Sequence, residues 1–290
     1  MKVCGFSFVR NGVKFDYPFE EAISSILPLC DLFIVAVGNS DDDTLERVRS
    51  IDPKVRVVET VWDDSLREGG RLLAAETDKA FQSIPSGYDW AFYIQGDEVI
   101  HEKYLPVIRM EMLKNLGDKR VDGLLFKYLH FFGSYDYVGM KHSWYRREIR
   151  IVRNRKDIFS YQDAQGFRKR PNEKLSVKLI DAYVYHYGYV REPEALQKKE
   201  RFKISLYQND SWIQRNFRKS DKYEFESMSE PLKEFTDDHP KVMAKRIERQ
   251  NWQFNPDLSI QYASPKDIVK RLIGRWTGWY PGEYTNYKII

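Results

Sequence analysis

A mostly parallel sheet covered by helices, an α/β fold, is what this sequence predicts for residues 1–190. Three observations predict it. Apolar runs of strand length alternate with amphipathic stretches, the connections between them are short, and one run, "DLFIVAVG", is continuously apolar, as in a strand buried on both faces.

The elements follow in order. "KVCGFSFV" reads as a strand, and "PFEEAISSILPL" has helical spacing with Pro18 near its start. After "DLFIVAVG", "SDDDTLERVRSI" offers capping Ser, Asp and Thr residues ahead of a helical pattern. "VRVVETV" is a short strand, "REGGRLLAAETDKAFQSI" a helix entered through Gly69 and Gly70, and "DWAFYIQ" the next strand. Beyond it "KYLPVIRMEMLKNL" is helical, while "VDGLLFKYLHFFG", "REIRIVRN" and "AYVYHYGYV" read as strands. From about Pro193 strand signals give way to the charged helical stretches "PEALQKKERFKISLYQ", "EPLKEF" and "PKVMAKRIERQ". The expected arrangement is a catalytic domain at 1–190 and a helical C-terminal extension at 191–290 packed on it.

Composition narrows the class. Of 290 residues, 42% are hydrophobic and 31% charged, which excludes a disordered or membrane-spanning chain. A net charge of +4 does not argue for nucleic acid, and the basic, aromatic segment 141–156 contains no nucleic-acid motif, so no nucleic-acid partner is expected. Cys4 and Cys30 have no metal-ligand spacing and suit buried thiols in a reducing compartment. The N-terminus "MKVCGFSFVRNG" is too short and too polar for a signal peptide, so a cytoplasmic location is expected. Near the other end, "DIVKRLIGRWTGWY" places Ile268, Leu272 and Arg275 or Trp276 at near-helical spacing beside Lys270 and Arg271. Two readings stay open for it, packing on the catalytic domain or peripheral contact with the inner face of a membrane.

Chemistry concentrates at "IQGDE". Ligands of open parallel sheets sit beyond the carboxyl ends of the strands, where Gln95, Gly96, Asp97 and Glu98 fall. Hard oxygens there suit a divalent cation held against a diphosphate, and glycine before Asp97 allows close backbone approach. The order of strand, Asn11, helix, apolar strand, "NSDDDT", helix and "W-YIQGDE" resembles the family 2 glycosyltransferases of the GT-A fold, a Rossmann-like sheet flanked by helices. "WYRREIRIVRN" looks like that family's arginine-containing strand, and "YVYHYGYV" is similar to its late His-Tyr segment.

The resemblance implies transfer of a sugar from a nucleotide-diphosphate donor to a glycan or lipid-linked acceptor hydroxyl, with inversion, assisted by Mn²⁺ or Mg²⁺, in surface polysaccharide synthesis. Asp97, Glu98 and His186 match metal or diphosphate positions. Gln95 stands where the family's first Asp would be, able to hydrogen-bond a ribose but without charge. Val37 and Gly38 fall where base-reading acids are expected. Between the arginine strand and the late histidine the candidate bases are Asp163 and Glu173, with Asp163 preferred because Glu173 lies in the charged run "RKRPNEK".

Asn11, Arg71 and Asp78 are candidate donor contacts. So are Ser40 and Asp42, for which helix capping is the competing role. Arg150 and Arg153 are expected to point to one side, with Arg153 taken as a diphosphate or acceptor contact. For His186 a structural role in its aromatic strand competes with ligation. The alternative overall reading is a non-catalytic sugar-nucleotide or glycan-binding protein on the same fold, favoured by the missing acid at Gln95.

Overall fold

The structure is a computed structural model that describes residues 1–66, 68–141, 144–208, 212–213, 215, 220–225, 231–259, 265–277 and 280–290. It is the expected mixed α/β fold. In chain order come β1 (Val3–Val9), α1 (Phe19–Ile26), β2 (Leu32–Gly38), α2 (Thr44–Ser50), β3 (Val55–Thr60), α3 (Arg71–Gln82) and β4 (Trp90–Tyr93). Then follow β5 (Glu98–Ile100), α4 (Leu105–Lys114), β6 (Gly123–Phe132), β7 (Tyr137–Gly139), β8 (Arg147–Arg153), β9 (Ile158–Tyr161), β10 (Gly166–Lys169) and β11 (Glu173–Tyr189). The remainder holds α5 (Pro193–Ser205), β12 (Leu232–Glu234), helices Ala244–Glu248 and Pro265–Thr277, and β13 (Tyr287–Ile289).

The main sheet runs β3-β2-β1-β4-β8-β6-β11-β10-β9. Strands β3, β2, β1 and β4 are mutually parallel, so their carboxyl ends share one edge. β8 inserts antiparallel between β4 and β6, while β6 and β11 pair in parallel. One core lies between the sheet and α1 and α4, built on Phe33, Trp90, Phe92, Phe126 and Ile151; the second lies under α3 and the β9–β10 hairpin, around Phe6, Phe81, Tyr93 and Phe167. β2 is buried along nearly its whole length, as its unbroken apolar run requires.

Local departures from the sequence reading have physical reasons. The helix expected over 67–84 begins only at Arg71, because Gly69 and Gly70 both take positive φ (67° and 71°). "EPLKEF" is not a helix: Leu232–Glu234 pair antiparallel with β7, and six residues are too few to nucleate a helix without strong packing. "PKVMAKRIERQ" yields one 3₁₀ turn and the five-residue helix Ala244–Glu248. The tail returns to the sheet, where β13 pairs in parallel with β11. In the amphipathic C-terminal helix Val269, Leu272 and Trp276 are exposed, while the side chains of Ile268, Arg271 and Arg275 lie outside the described residues. No helix among the described residues is long and apolar enough to cross a membrane.

Candidate functional site

A cavity of about 240 Å³ opens at the carboxyl edge of the parallel strands. Phe8, Val9 and Arg10 reach it from the end of β1, Trp62 from beyond β3, and Gln95, Gly96 and Asp97 from beyond β4. Asp163 enters from the β9–β10 turn and His186 from β11. Four of the residues expected from sequence (Gln95, Asp97, Asp163 and His186) therefore meet here, from three separate segments.

Asp97 is held where the chain leaves β4 for β5. Its carbonyl accepts from the Tyr187 amide at 2.8 Å, which locks the loop against β11. Its Oδ2 accepts from Lys199 Nζ at 3.2 Å and lies 3.7 Å from His186 Nε2. Burial pushes this carboxyl up, but the neighbouring cations, Lys199 foremost and Arg191 with it, outweigh burial and hold it well below the usual carboxylate range. Gly188, two residues after His186 on the same strand face, is required here. A Cβ there would stand 2.6 Å from the His186 ring and 3.2 Å from Asp97 Oδ2.

His186 has a definite tautomer. β6 and β11 bring His130 beside it in register, with the two Nδ1 atoms 3.0 Å apart. His130 Nε2 lies 2.7 Å from the Tyr145 carbonyl, which only accepts, so the proton of His130 is on Nε2. Burial keeps both rings neutral, lowering His130 to about 4 and His186 well below its ordinary value. His130 Nδ1 is then an acceptor, His186 donates from Nδ1, and the lone pair of His186 Nε2 is left facing Asp97 and the cavity. A second ring that fixes the tautomer in this way is how proteins prepare a histidine to accept.

Glu98 lies elsewhere. It is fully buried, takes two hydrogen bonds from Arg150 at 2.7 and 2.6 Å, and accepts from the Tyr128 hydroxyl at 2.8 Å. Successive residues entering a strand face opposite ways, so Asp97 toward the cavity sends Glu98 inward. Of the three expected metal ligands, two face the cavity. Among the described residues no group of three His, Cys, Asp or Glu is placed to hold a metal ion. Lys199, moreover, already sets an ammonium against the Asp97 carboxylate. This donor set fits a divalent cation poorly.

Arg150 and Arg153 do not share a side. The ladder of β8 is irregular at Arg150, with Ile149 and Ile151 in opposite cores, so their partners and not simple alternation decide where the two arginines go. Arg150 is sealed on Glu98, and Arg153 stacks over Trp90 at 3.9 Å while donating to the carbonyls of Asn115, Leu116, Asp118 and Val121. Arg153 thus caps the loop after α4 and does not reach the cavity.

Asn11 has positive φ (53°), and its Oδ1 accepts from the Asp41 amide at 3.0 Å while its own amide donates to Ser40 Oγ at 3.0 Å. Asp42 accepts from the amides of Lys14 and Thr44, at 2.7 and 3.1 Å, and from the Thr44 hydroxyl. Together they tie the loop after β1 to the loop after β2; α2 itself starts from Asp43, with no side-chain cap hydrogen bond. Arg71 is exposed at the first turn of α3 and does not line the cavity. Asp78 accepts from the Ser160 amide at 2.7 Å and borders a different hollow with Phe159, Arg170 and Pro171. Burial raises its carboxyl to about 6.

Asp163 sits between Gln162 and Ala164, both at positive φ, on the turn that joins β9 to β10. Its Oδ2 accepts from the Tyr207 hydroxyl at 3.2 Å and from Gln165 Nε2 at 3.1 Å. Gln95 anchors the same turn by donating to the Ala164 carbonyl at 3.0 Å, so its amide is engaged on the protein. Gly70, at positive φ, makes room: a Cβ there would stand 2.7 Å from Asp163 Cβ.

Sequence reasoning missed one wall entirely. Lys199, Phe202, Lys203, Leu206 and Tyr207, on and just after α5, line the cavity, as do Tyr17, Trp144, Tyr145 and Tyr189. The signal was available, since Lys199, Phe202, Lys203 and Leu206 follow the i, i+3, i+4, i+7 spacing of one helix face. Burial, then Arg191, pushes Lys199 down to about 8 against the opposing pull of Asp97. Because these side chains complete the cavity, residues on both sides of position 190 build one site.

No family model matches the chain, and no curated protein matches it. Among solved structures, S. aureus TarS is similar over 70% of this chain and 39% of its own, at 16% identity and TM-score 0.43. TarS 1-349 in complex with UDP is similar over 71% of this chain and 65% of its own, at 14% identity and TM-score 0.42. Glucosyl-3-phosphoglycerate synthase from Mycobacterium tuberculosis, in complex with Mn²⁺, UDP and phosphoglyceric acid, is similar over 46% of this chain and 44% of its own, at 20% identity and TM-score 0.30.

Proposed function

We propose that this protein is a glycosyltransferase that moves a sugar from a nucleotide-diphosphate donor to an acceptor hydroxyl, with inversion. One observation carries the reading. Gln95, Asp97, Asp163 and His186, each singled out by its place in the sequence, converge on one cavity at the carboxyl edge of parallel strands, where such folds bind ligands.

In this reading Asp163 is the general base. Its carboxylate takes the proton of the acceptor hydroxyl as that oxygen attacks the anomeric carbon. The bond from that carbon to the diphosphate oxygen breaks, and its electron pair leaves with the diphosphate. The Tyr207 hydroxyl and the Gln165 amide orient the carboxylate, and burial keeps Tyr207 protonated as a donor. The aromatic rings of Trp62, Trp144, Tyr145 and Tyr189 supply flat apolar walls of the kind that sugars and bases stack against.

The test is release of nucleoside diphosphate from UDP-, GDP-, CDP- and dTDP-sugars, measured with the native protein and with Asp163→Asn. Turnover of one donor class, lowered about 100-fold or more in the variant while donor binding persists, is the expected result. Binding without turnover by the native protein, with glycan acceptors supplied, would turn the assignment to the non-catalytic sugar-nucleotide binder.

A further inference from the structure

The cavity has an unexpected charge pattern. Its charged lining consists of Arg10, Lys199 and Lys203 against Asp97 and Asp163, three cations to two carboxylates. Lys199 is buried, and its Nζ donates to Asp97 Oδ2 at 3.2 Å and to the Gly188 carbonyl at 2.6 Å. Tyr17 and Tyr189 lie against it, with ring centroids 5.4 and 5.5 Å from the ammonium. An ammonium has three N–H donors, so one remains for a ligand in the cavity. Lys203, one helical turn on, lines the same space and donates to the Tyr189 hydroxyl at 3.1 Å.

Behind this wall stands Arg191, fully buried, stacked on Tyr17 at 4.7 Å and donating from Nη1 to the Phe15 carbonyl at 2.6 Å. Its Nε and Nη2 meet no hydrogen-bond partner among the described residues. Behind the lining this guanidinium with unused donors adds one positive charge and Glu200, 3.7 Å from Lys203 Nζ, one negative, so the cations stay one ahead. The guanidinium is the kind of unpaired charge that an anionic ligand relieves.

We infer that the Lys199 ammonium, seated on Asp97, occupies the role expected of a divalent cation and binds the donor's diphosphate directly, so that nucleotide binding needs no metal. Asp97 is then a positioning residue that fixes the ammonium, and His186, with its lone pair toward the cavity, accepts from a ligand hydroxyl or from water. Lys203 adds a second contact and Arg191 a supporting charge. The inference rests on the donor-binding reading above and goes beyond it in naming what meets the diphosphate.

The experiment is calorimetric titration of the full chain with UDP, GDP, CDP and dTDP, each in EDTA and each with Mn²⁺. The expected result is one nucleotide bound in EDTA with an affinity within about threefold of that in Mn²⁺. Lys199→Met then weakens binding in EDTA by about 30-fold or more, and Lys199→Arg, which keeps the charge, restores part of it. Binding that appears only with Mn²⁺ overturns the inference and leaves the donor reading standing. Absence of binding in both buffers overturns both. Should Lys199→Met fail to fold, the EDTA and Mn²⁺ comparison on the native chain decides by itself.

Discussion

Two neighbouring acids, Asp97 and Glu98, end in opposite surroundings. Glu98 lies in a sealed centre with Arg150 and Tyr128, while Asp97 lies at a cavity with Lys199 and His186. Each acid meets a buried cation. The difference is that both Glu98 oxygens are taken, by Arg150, Tyr128 and the Gln95 backbone amide, whereas Lys199 retains a donor next to open space. A saturated buried pair holds a fold together, and an unsaturated one at a cavity is prepared for a ligand.

Removing the carboxylates breaks the comparison most directly. Glu98→Ala leaves Arg150 charged and sealed, and is expected to cost about 3–5 kcal/mol in urea denaturation. Asp97→Ala leaves Lys199 beside a cavity that water can enter, so the loss there should be smaller, about 1–2 kcal/mol. Equal losses at the two positions would remove the distinction. Gly188→Ala acts on the cavity side alone: its methyl meets the His186 ring, and a loss of about 1–3 kcal/mol is expected together with weakened nucleotide binding. Unchanged binding in that variant would mean that the His186 position does not matter to the ligand.

The smallest effect is read through pH at Glu148, a buried residue that feels Arg150 and Glu98 on one side and Asp163 on the other. Burial pushes the Glu148 carboxyl up to about 8 from an ordinary 4.5. The folded state therefore holds this proton more tightly than the unfolded state, so the cost of folding with Glu148 grows as pH rises from about 4.5 to 8 and then levels. Glu148→Gln, which mimics the protonated form, should be no more stable than wild type near pH 4. By pH 8 it should gain about 1 kcal/mol or more, measured as denaturation midpoints across the range. A gain independent of pH would assign the effect to packing instead.

Much of the fold was legible because periodicity reports burial. The apolar run at β2, the alternation of strands and helices to β4, and Pro18 at the start of α1 all read directly from local pattern. Asp97, Asp163, Gln95 and His186 were legible too, through strand ends and motif order. Glu98 and Arg153 were harder. An acid beside a functional acid, or an arginine in a basic strand, carries no mark of which way it faces until the strand register is known. Arg150 and Arg153 add a second obstacle, since the irregularity of β8 at Arg150 breaks the alternation from which their facing would be read.

The sequence by itself determined the α/β order, the edge of the sheet where ligands belong, and the residue types available there, because these depend on local propensity and on alternation. Only the tertiary structure decided that Arg150, 52 residues away, would take Glu98, and that Lys199, 102 residues away, would reach Asp97. Pairings across such distances depend on how β8 and α5 pack, and no local pattern encodes the partner of a buried charge. The same limit hid Arg191, whose Nε and Nη2, without a hydrogen-bond partner among the described residues, become visible only once its neighbours are in place.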